Sequence, residues 1–385
     1  MKKPSSAARP AIDRDGATQA LNCLIEANYP RIEPPVLQPV SVFLDLSGEA
    51  IRGRLLVTTD ALGAELCLRP DYTIPVCRAH LAGAKPSASA QYSYLGPVFR
   101  ARAGHSGEVL QAGLESYGRD DFEAADAEIL ALAMQAAQAG AGGKRAGAEA
   151  IHVRMGDVRL FERVIGALDL PDAWRRRLRR GLAQGRPLAA ILGGPSAEPS
   201  RHSGVLAAME RADHAGARAL VEDLLAIAGI SAVGGRSVSE IADRFLDSAA
   251  LRAGSGAPKE KRAVLERFLK ISADPDAASA QLRALASDAR LEIGAALDSF
   301  DERTGFMAAR GLDVASFTFA AAFVRDIGYY TGFIFEGAPL GGDAAPVFGG
   351  GRYDGLARRL GAARDIPAVG AAIFLDRLKP GKGLA

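Results

Sequence analysis

The chain has 385 residues, with 47 Lys and Arg against 45 Asp and Glu, a formal net charge of +2. That length is too great for one simple core, so two domains are expected, and the balanced charge gives no electrostatic footprint for nucleic acid. The three cysteines, Cys23, Cys67 and Cys77, form no CxxC pair, which suits a reducing cytoplasm and argues against a structural zinc site. The polar N-terminus lacks a signal-peptide core, and no run approaches the roughly 18 apolar residues of a membrane span.

In chain order, residues 1–12 read as a loose arm. A helix is expected over about residues 13–28, with Leu21, Leu24 and Ile25 on one face and a stop at Tyr29–Pro30. Pro30, Pro34, Pro35 and Pro39 then forbid a long helix and allow edge strands and turns. Leu55–Val57 and Leu66–Leu68 are strand-like about a turn at Gly63. The run LRPDYT leads into a helix from Thr73 to His80, which Asp71 is placed to cap. Residues 91–118 read as strand, loop, strand. The two-residue period puts Gln111, Gly113 and Glu115 on one side, either as polar residues on an open sheet face or as the lining of a pocket.

A helix follows from Asp120 to about Gln138, its acidic first turn matched to the helix dipole. Ile151, Val153 and Met155 alternate as a strand, and a further helix runs through Phe161 and Val164. Composition then shifts: residues 170–310 are helical, rich in Ala, Arg and Asp. Arg175, Arg176, Arg177, Arg179 and Arg180 cluster there, and a solvated helix face is favoured over nucleic-acid binding.

The most informative stretch is Phe323 to Leu356: FVRDIGYYTGFIFEG, a short loop, then VFGGGRYDGL. Phe333 and Phe335 alternate with Ile334 and Glu336 as in a strand. Gly328 and Gly332 allow close approach of a ligand or another backbone, while Arg325, Asp326, Tyr329 and Tyr330 place polar groups in an apolar run. The glycine run lacks the GK[ST] ending of a phosphate loop. Pattern alone leaves two readings, a hairpin with two core tyrosines or a ligand site.

Together these residues resemble the two histidine-recognition signatures shared by histidyl-tRNA synthetase and its paralogue, the regulatory subunit of ATP phosphoribosyltransferase. The first is Arg325, Tyr329–Tyr330 and Phe335–Glu336; the second is Gly350 to Asp354. Residues 29–49 resemble class II motif 1, which in that family builds a dimer interface. Residues 91–118 resemble motif 2, and Pro367 to Arg377 resemble motif 3. The resemblance implies an α+β fold, a class II aminoacyl-tRNA synthetase-like antiparallel sheet flanked by helices. Residues 1–168 and 312–385 would form the synthetase-like domain and residues 169–311 a helical insertion. It places Asp71, Thr73, Arg100, Gln111, Glu115, Arg325, Tyr329 and Tyr330 around bound histidine. Carboxylate and hydroxyl acceptors there suit an ammonium group.

The departures are equally informative. Where a synthetase has Arg-x-Glu, its glutamate holding the adenine, this chain has Arg100–Ala101–Arg102. A guanidinium has no acceptor for the adenine amino group. Glu108 stands near the place of a phosphate-clamping arginine, where a carboxylate repels phosphates. Eight residues follow Arg377, where the synthetase continues into a domain of roughly a hundred residues that binds the anticodon, so such a domain is not expected. A histidyl-tRNA ligase and a ligase for a non-tRNA acceptor are therefore disfavoured. The expectation is a non-catalytic regulatory subunit of ATP phosphoribosyltransferase, with no catalytic residue, no cofactor and no metal site. Its expected partners are a short-form catalytic subunit, L-histidine as effector and a second copy of itself in a homodimer, with no nucleic acid and no membrane.

Overall fold

The computed structural model describes residues 14–47, 49–83, 88–101, 107–142, 151–170, 172–183, 259–323, 329–340 and 345–378, with a few positions between 186 and 237. Helix α1 (Arg14–Glu26) buries Ala17, Ala20, Leu21 and Leu24. Ile25, expected on that face, is 41% exposed, because it stands one position round from this stripe and the helix ends at the next residue. Asn28 then takes a left-handed φ of 65°, a conformation Asn tolerates better than most residues.

The proline-rich segment yields β1 (Leu37–Pro39) and α2 (Val40–Ser47). With β2 (Val57–Thr59) and β3 (Glu65–Leu68), β1 forms a small antiparallel sheet in the order β1-β3-β2. Gly63, at φ 86°, makes the expected turn. Helix α3 (Thr73–Leu81) follows, and the Ile74 amide donates to Asp71 Oδ1 at 3.2 Å, the capping contact read from the sequence.

Strands β4 (Ala90–Phe99) and β5 (Glu108–Tyr117) form the long hairpin, followed by α4 (Phe122–Gly140), β6 (Ile151–Asp157), α5 (Val158–Ala167) and α6 (Asp172–Ala183). Two-residue strands β7 (Ala232–Val233) and β8 (Arg236–Ser237) pair with each other. Then come α7 (Lys259–Leu269), β9 (Ser272–Ala273), α8 (Pro275–Ala289), α9 (Gly294–Ala309) and β10 (Thr318–Ala320). The chain closes on β11 (Phe333–Pro339), β12 (Phe348–Arg352), α10 (Leu356–Arg359) and β13 (Ala368–Phe374).

The large sheet has the order β4-β5-β13-β12-β11-β6-β10-β9. It is antiparallel as expected, except that β10 runs parallel to β6. On one face, α1 and α4 cover a core that includes Leu24, Ile129, Leu130, Leu114, Phe333 and Phe348. On the other, α2, α3 and the small sheet cover Phe43, Tyr72, Val76, Tyr94, Tyr117 and Tyr353. Helices α5 to α9 enclose a separate apolar cluster around Phe161, Trp174, Leu265, Phe268 and Phe300.

The arginine cluster lies on α6, and part of it is structural. Arg175 donates to the Leu170 carbonyl at 2.8 Å and Arg177 to that of Ile191 at 2.6 Å. Arg179 pairs with Glu162 through two nitrogens. Among the described residues, no helix is long and apolar enough to cross a membrane.

Candidate functional site

The site is built on the face of the large sheet away from α4. Alternation along β5 sends Ala112 and Leu114 into the core beneath the sheet and turns Gln111, Gly113, Glu115 and Tyr117 the other way. Register then sets what lies beside Glu115. It is opposite Gly370 on β13, which is opposite Gly351 on β12. One row along, Gly113 faces Ala372, which faces Gly349. The centre of the sheet is therefore a floor of glycine and alanine, with larger polar side chains standing at its edges.

Gly370 is required by this arrangement. A Cβ there would lie 1.6 Å from Glu115 Oε2 and 2.7 Å from the backbone oxygen of Leu114. Gly370→Ala is expected to displace the Glu115 carboxyl and destabilise the fold by about 1–3 kcal/mol, the usual range for overpacking a filled interior. Chemical denaturation of the two proteins measures it, and an unchanged midpoint would show that β5 and β13 separate freely.

Glu115 is fully buried. Thr73 donates to its Oε1 at 2.8 Å and the Tyr353 hydroxyl donates to its Oε2. Burial pushes the carboxyl up to about 8, against the Tyr353 and Thr73 hydroxyls, which favour the ionised form, and with the negative charge of Asp71 adding to the rise. Asp71 is also shifted upward by burial, opposed by the Arg100 guanidinium and the Ile74 amide. Gln111, 2% exposed, donates through Nε2 to the Tyr94 hydroxyl at 3.4 Å, while its Oε1 is buried and has no hydrogen-bond partner among the described residues. Such an orphaned acceptor is uncommon and marks a place where a donor is wanted.

Aromatic rings form the walls. Tyr72 and Tyr94 stack at 4.2 Å, and Arg69 lies over Tyr72 at 4.0 Å. Tyr329 meets Tyr353 edge-on at 5.7 Å and Tyr330 at 5.2 Å. Arg100 stands at the rim, its Nε donating to the Pro70 carbonyl at 2.7 Å.

Of the eight residues expected at the site, the structure links Asp71, Thr73, Arg100, Gln111, Glu115 and Tyr329 through these contacts, with Tyr330 packed on Tyr329. Arg325 lies outside the described residues, as does Arg102. The reading of Gln111 and Glu115 as open-face polar residues is excluded by their burial. Tyr94 and Gly370 were not singled out from sequence. Tyr353 lies within the second signature, Gly350 to Asp354, but only the fold shows that its hydroxyl reaches Glu115. A crevice lined by Tyr29, Gln91, Glu128 and Arg310 lies elsewhere. Its Glu128 is already satisfied by Tyr29 at 2.7 Å and Arg310 at 2.7 Å.

Chemically, the site offers carboxyl, carbonyl and hydroxyl oxygens beside a floor of small residues. That is a receptor for a small ligand with several N–H donors and positive charge.

Comparison with known proteins agrees with the fold. The family model for histidyl-tRNA synthetase matches residues 11–212 and 214–378. The chain is 37% identical over 356 residues to an ATP phosphoribosyltransferase regulatory subunit of Agrobacterium fabrum, covering 92% of this chain and 93% of that one. It is 39% identical over 356 residues to the protein of the same name from Mesorhizobium japonicum, covering 91% and 93%. Among solved structures, it resembles an ATP phosphoribosyltransferase regulatory subunit/histidyl-tRNA synthetase from Bacillus halodurans, with a TM-score of 0.63 at 21% identity over 98% of this chain and 83% of that one. It also resembles the histidyl-tRNA synthetase of Nostoc, with a TM-score of 0.61 at 18% identity over 94% and 69%.

Proposed function

We propose, for a chain that belongs to the histidyl-tRNA synthetase-like family of ATP phosphoribosyltransferase regulatory subunits, that it is the non-catalytic regulatory partner of a short-form catalytic subunit and senses free L-histidine in the Glu115 pocket. The observation that carries the histidine reading is the buried acceptor set. Among the described residues Gln111 Oε1 has no donor, and beside it the Glu115 and Asp71 carboxyls keep acceptor capacity beyond the Thr73, Tyr353 and Ile74 groups they already receive; an α-ammonium with an imidazole N–H would supply donors to this set.

Two further features support a regulatory rather than a ligase role. Arg100, at the motif 2 position, donates to the Pro70 carbonyl, and Arg377, at the motif 3 position, donates to the Pro346 carbonyl at 2.6 Å and lies over the Phe374 ring at 4.2 Å. Both guanidiniums are thus engaged by the chain's own backbone. Glu108 begins the return strand where a synthetase clamps phosphate, and it brings negative charge there. A homodimer would use the small β1-β3-β2 sheet, where Val36, Leu37, Val57 and Leu62 are exposed. The sparse free thiols fit a cytoplasmic setting.

Two measurements test this reading. Histidine-dependent ATP–pyrophosphate exchange by the purified chain is expected at background, and a clear exchange rate would revive a ligase. Calorimetry is expected to show histidine binding that weakens by about 10- to 100-fold in Glu115→Ala, the loss of a hydrogen bond to a charged partner. Equal affinities for the two proteins would reject this pocket as the histidine site.

A further inference from the structure

Beside Tyr353, six charged side chains alternate in sign along a run of five ion pairs, Arg159–Asp354–Arg352–Asp126–Arg303–Asp157, whose two ends are joined through the first turn of α5 rather than by an ion pair. Arg352 contacts Asp126 of α4 at 2.7 Å, and Arg303 of α9 contacts the other oxygen of Asp126 at 3.1 Å. Arg303 also holds Asp157 at 2.9 Å. Asp157 caps α5 by accepting from the Leu160 amide at 2.9 Å, and Arg159, in the first turn of α5, reaches Asp354 at 3.1 Å. Asp354 returns to Arg352 at 3.0 Å. Three cations and three anions leave the ring neutral. Arg352, Asp126, Arg303 and Asp157 are all buried.

The ring is fixed at most of its joints. Arg352 also donates to the Phe122 carbonyl at 3.0 Å, and its stem lies against Gly332, where a Cβ would come within 3.1 Å of Cδ. Asp354 accepts from the Ala368 amide at 2.9 Å and receives Arg352 as well. Burial pushes the Asp126 carboxyl up, against the pull of Arg352 and Arg303. Burial also opposes the charge on Arg352, yet Asp126 and Asp354 outweigh it and hold the guanidinium above its ordinary value. One joint is slack: Arg303 Nε faces Asp126 without hydrogen-bond alignment.

Arg352 and Asp354 flank Tyr353, whose hydroxyl reaches Glu115. A change in that contact must therefore move a backbone clamped on both sides by the ring. We infer that this ring couples the state of the Glu115 pocket to the packing of α9 and α5, so that the helical segment feels what happens at the pocket. A buried ion ring is a poor source of net stability compared with apolar packing of the same volume. It is well suited to holding one arrangement against another, because misaligned charges in a dry interior are costly. The involvement of histidine rests on the proposed function above; the coupling itself does not.

The test is a cycle on the full chain, read by hydrogen exchange at α9, α5 and, as a reference, α1. Tyr353→Phe removes only the hydroxyl on Glu115 and is expected to lower protection of α9 by at least about fivefold, the lower end of measured couplings. Protection of α1 should change much less. In an Arg303→Lys background, which keeps the charge but loses the two-armed contact, Tyr353→Phe is expected to have no further effect on α9. If the two substitutions act additively, or if α1 loosens as much as α9, the ring is structural and the inference falls. Arg303→Met with Asp157→Asn gives the same cycle without an unpaired charge if Arg303→Lys folds poorly. Added L-histidine is expected to raise α9 protection in the wild type and not in Arg303→Lys. Histidine that binds by calorimetry without changing α9 also overturns the inference, whereas failure to bind at all overturns the histidine reading and leaves the cycle to decide the coupling.

Discussion

Mixed with a short-form ATP phosphoribosyltransferase catalytic subunit, the chain is expected to switch on phosphoribosyl-ATP formation, and added histidine is expected to switch it off again. Alone, the chain should transfer no phosphoribosyl group. Its sequence has no acidic pair leading from a strand into a Gly/Thr-rich phosphate loop and no Walker lysine loop. Its glycine runs are used otherwise: Gly349–Gly351 lie in β12 and Gly370 in β13, where they form the small-residue floor beside Glu115. Any effect on the partner must come from linkage, in which histidine shifts the population by binding one arrangement more tightly. Such couplings are about 1–3 kcal/mol, or about 5- to 150-fold. The assay is product formation across a histidine titration, with and without the chain. A catalytic subunit that is equally active and equally histidine-sensitive alone would remove this chain from its regulation. A Glu115→Ala chain that still activates, but is no longer silenced by histidine, would separate activation from sensing.

Much of this was legible from residues, and the limits have physical causes. The period-2 pattern in β5 correctly set Gln111 and Glu115 on one side, because alternation is a property of any strand. It could not say whether that side is open or buried, since burial depends on α3, Tyr94 and Tyr353, which come from distant parts of the chain. The Asp71 cap was readable because it is local, spanning three residues to Ile74. Ile25 was misplaced because helical periodicity identifies a stripe but not its edge. The parallel pairing of β10 with β6 had no sequence signal, for the intervening helices hide which strands meet. The ion ring was equally invisible: Asp126 and Arg303 look like ordinary polar residues on helices and acquire partners only through the packing of α4, α9 and β12.

The largest pH effect is expected at Glu115. Facing it are Asp71 and the Thr73 hydroxyl before and at the start of α3, Cys77 further along α3, Tyr94 on β4, Tyr117 on its own strand, and Tyr353 and Tyr329 from the two signature segments. With its pKa raised from 4.5 to about 8, the folded chain holds a proton that the unfolded chain has released. Stability from this group is therefore fully present below pH 4.5 and is lost as the pH rises towards about 8. The limiting slope is about 1.4 kcal/mol per pH unit for one proton. Glu115→Gln cannot ionise, so its stability should fall less across that window and exceed that of the wild type at the alkaline end. A residual slope of the same sign is expected from Asp71, whose carboxyl is also shifted upward by burial. Denaturant titrations of both proteins from pH 5 to 9 measure the difference, and parallel curves would show that Glu115 is already ionised at neutral pH. A cationic ligand should reverse the balance by favouring the carboxylate. Histidine binding near pH 7 should thus release a proton from the wild type and none from Glu115→Gln, which calorimetry in buffers of different ionisation enthalpy resolves. The pocket would then combine two conditions in one group: neutral Glu115 preserves the fold when the site is empty, and charged Glu115 appears only when a donor-rich cation is there to pair with it.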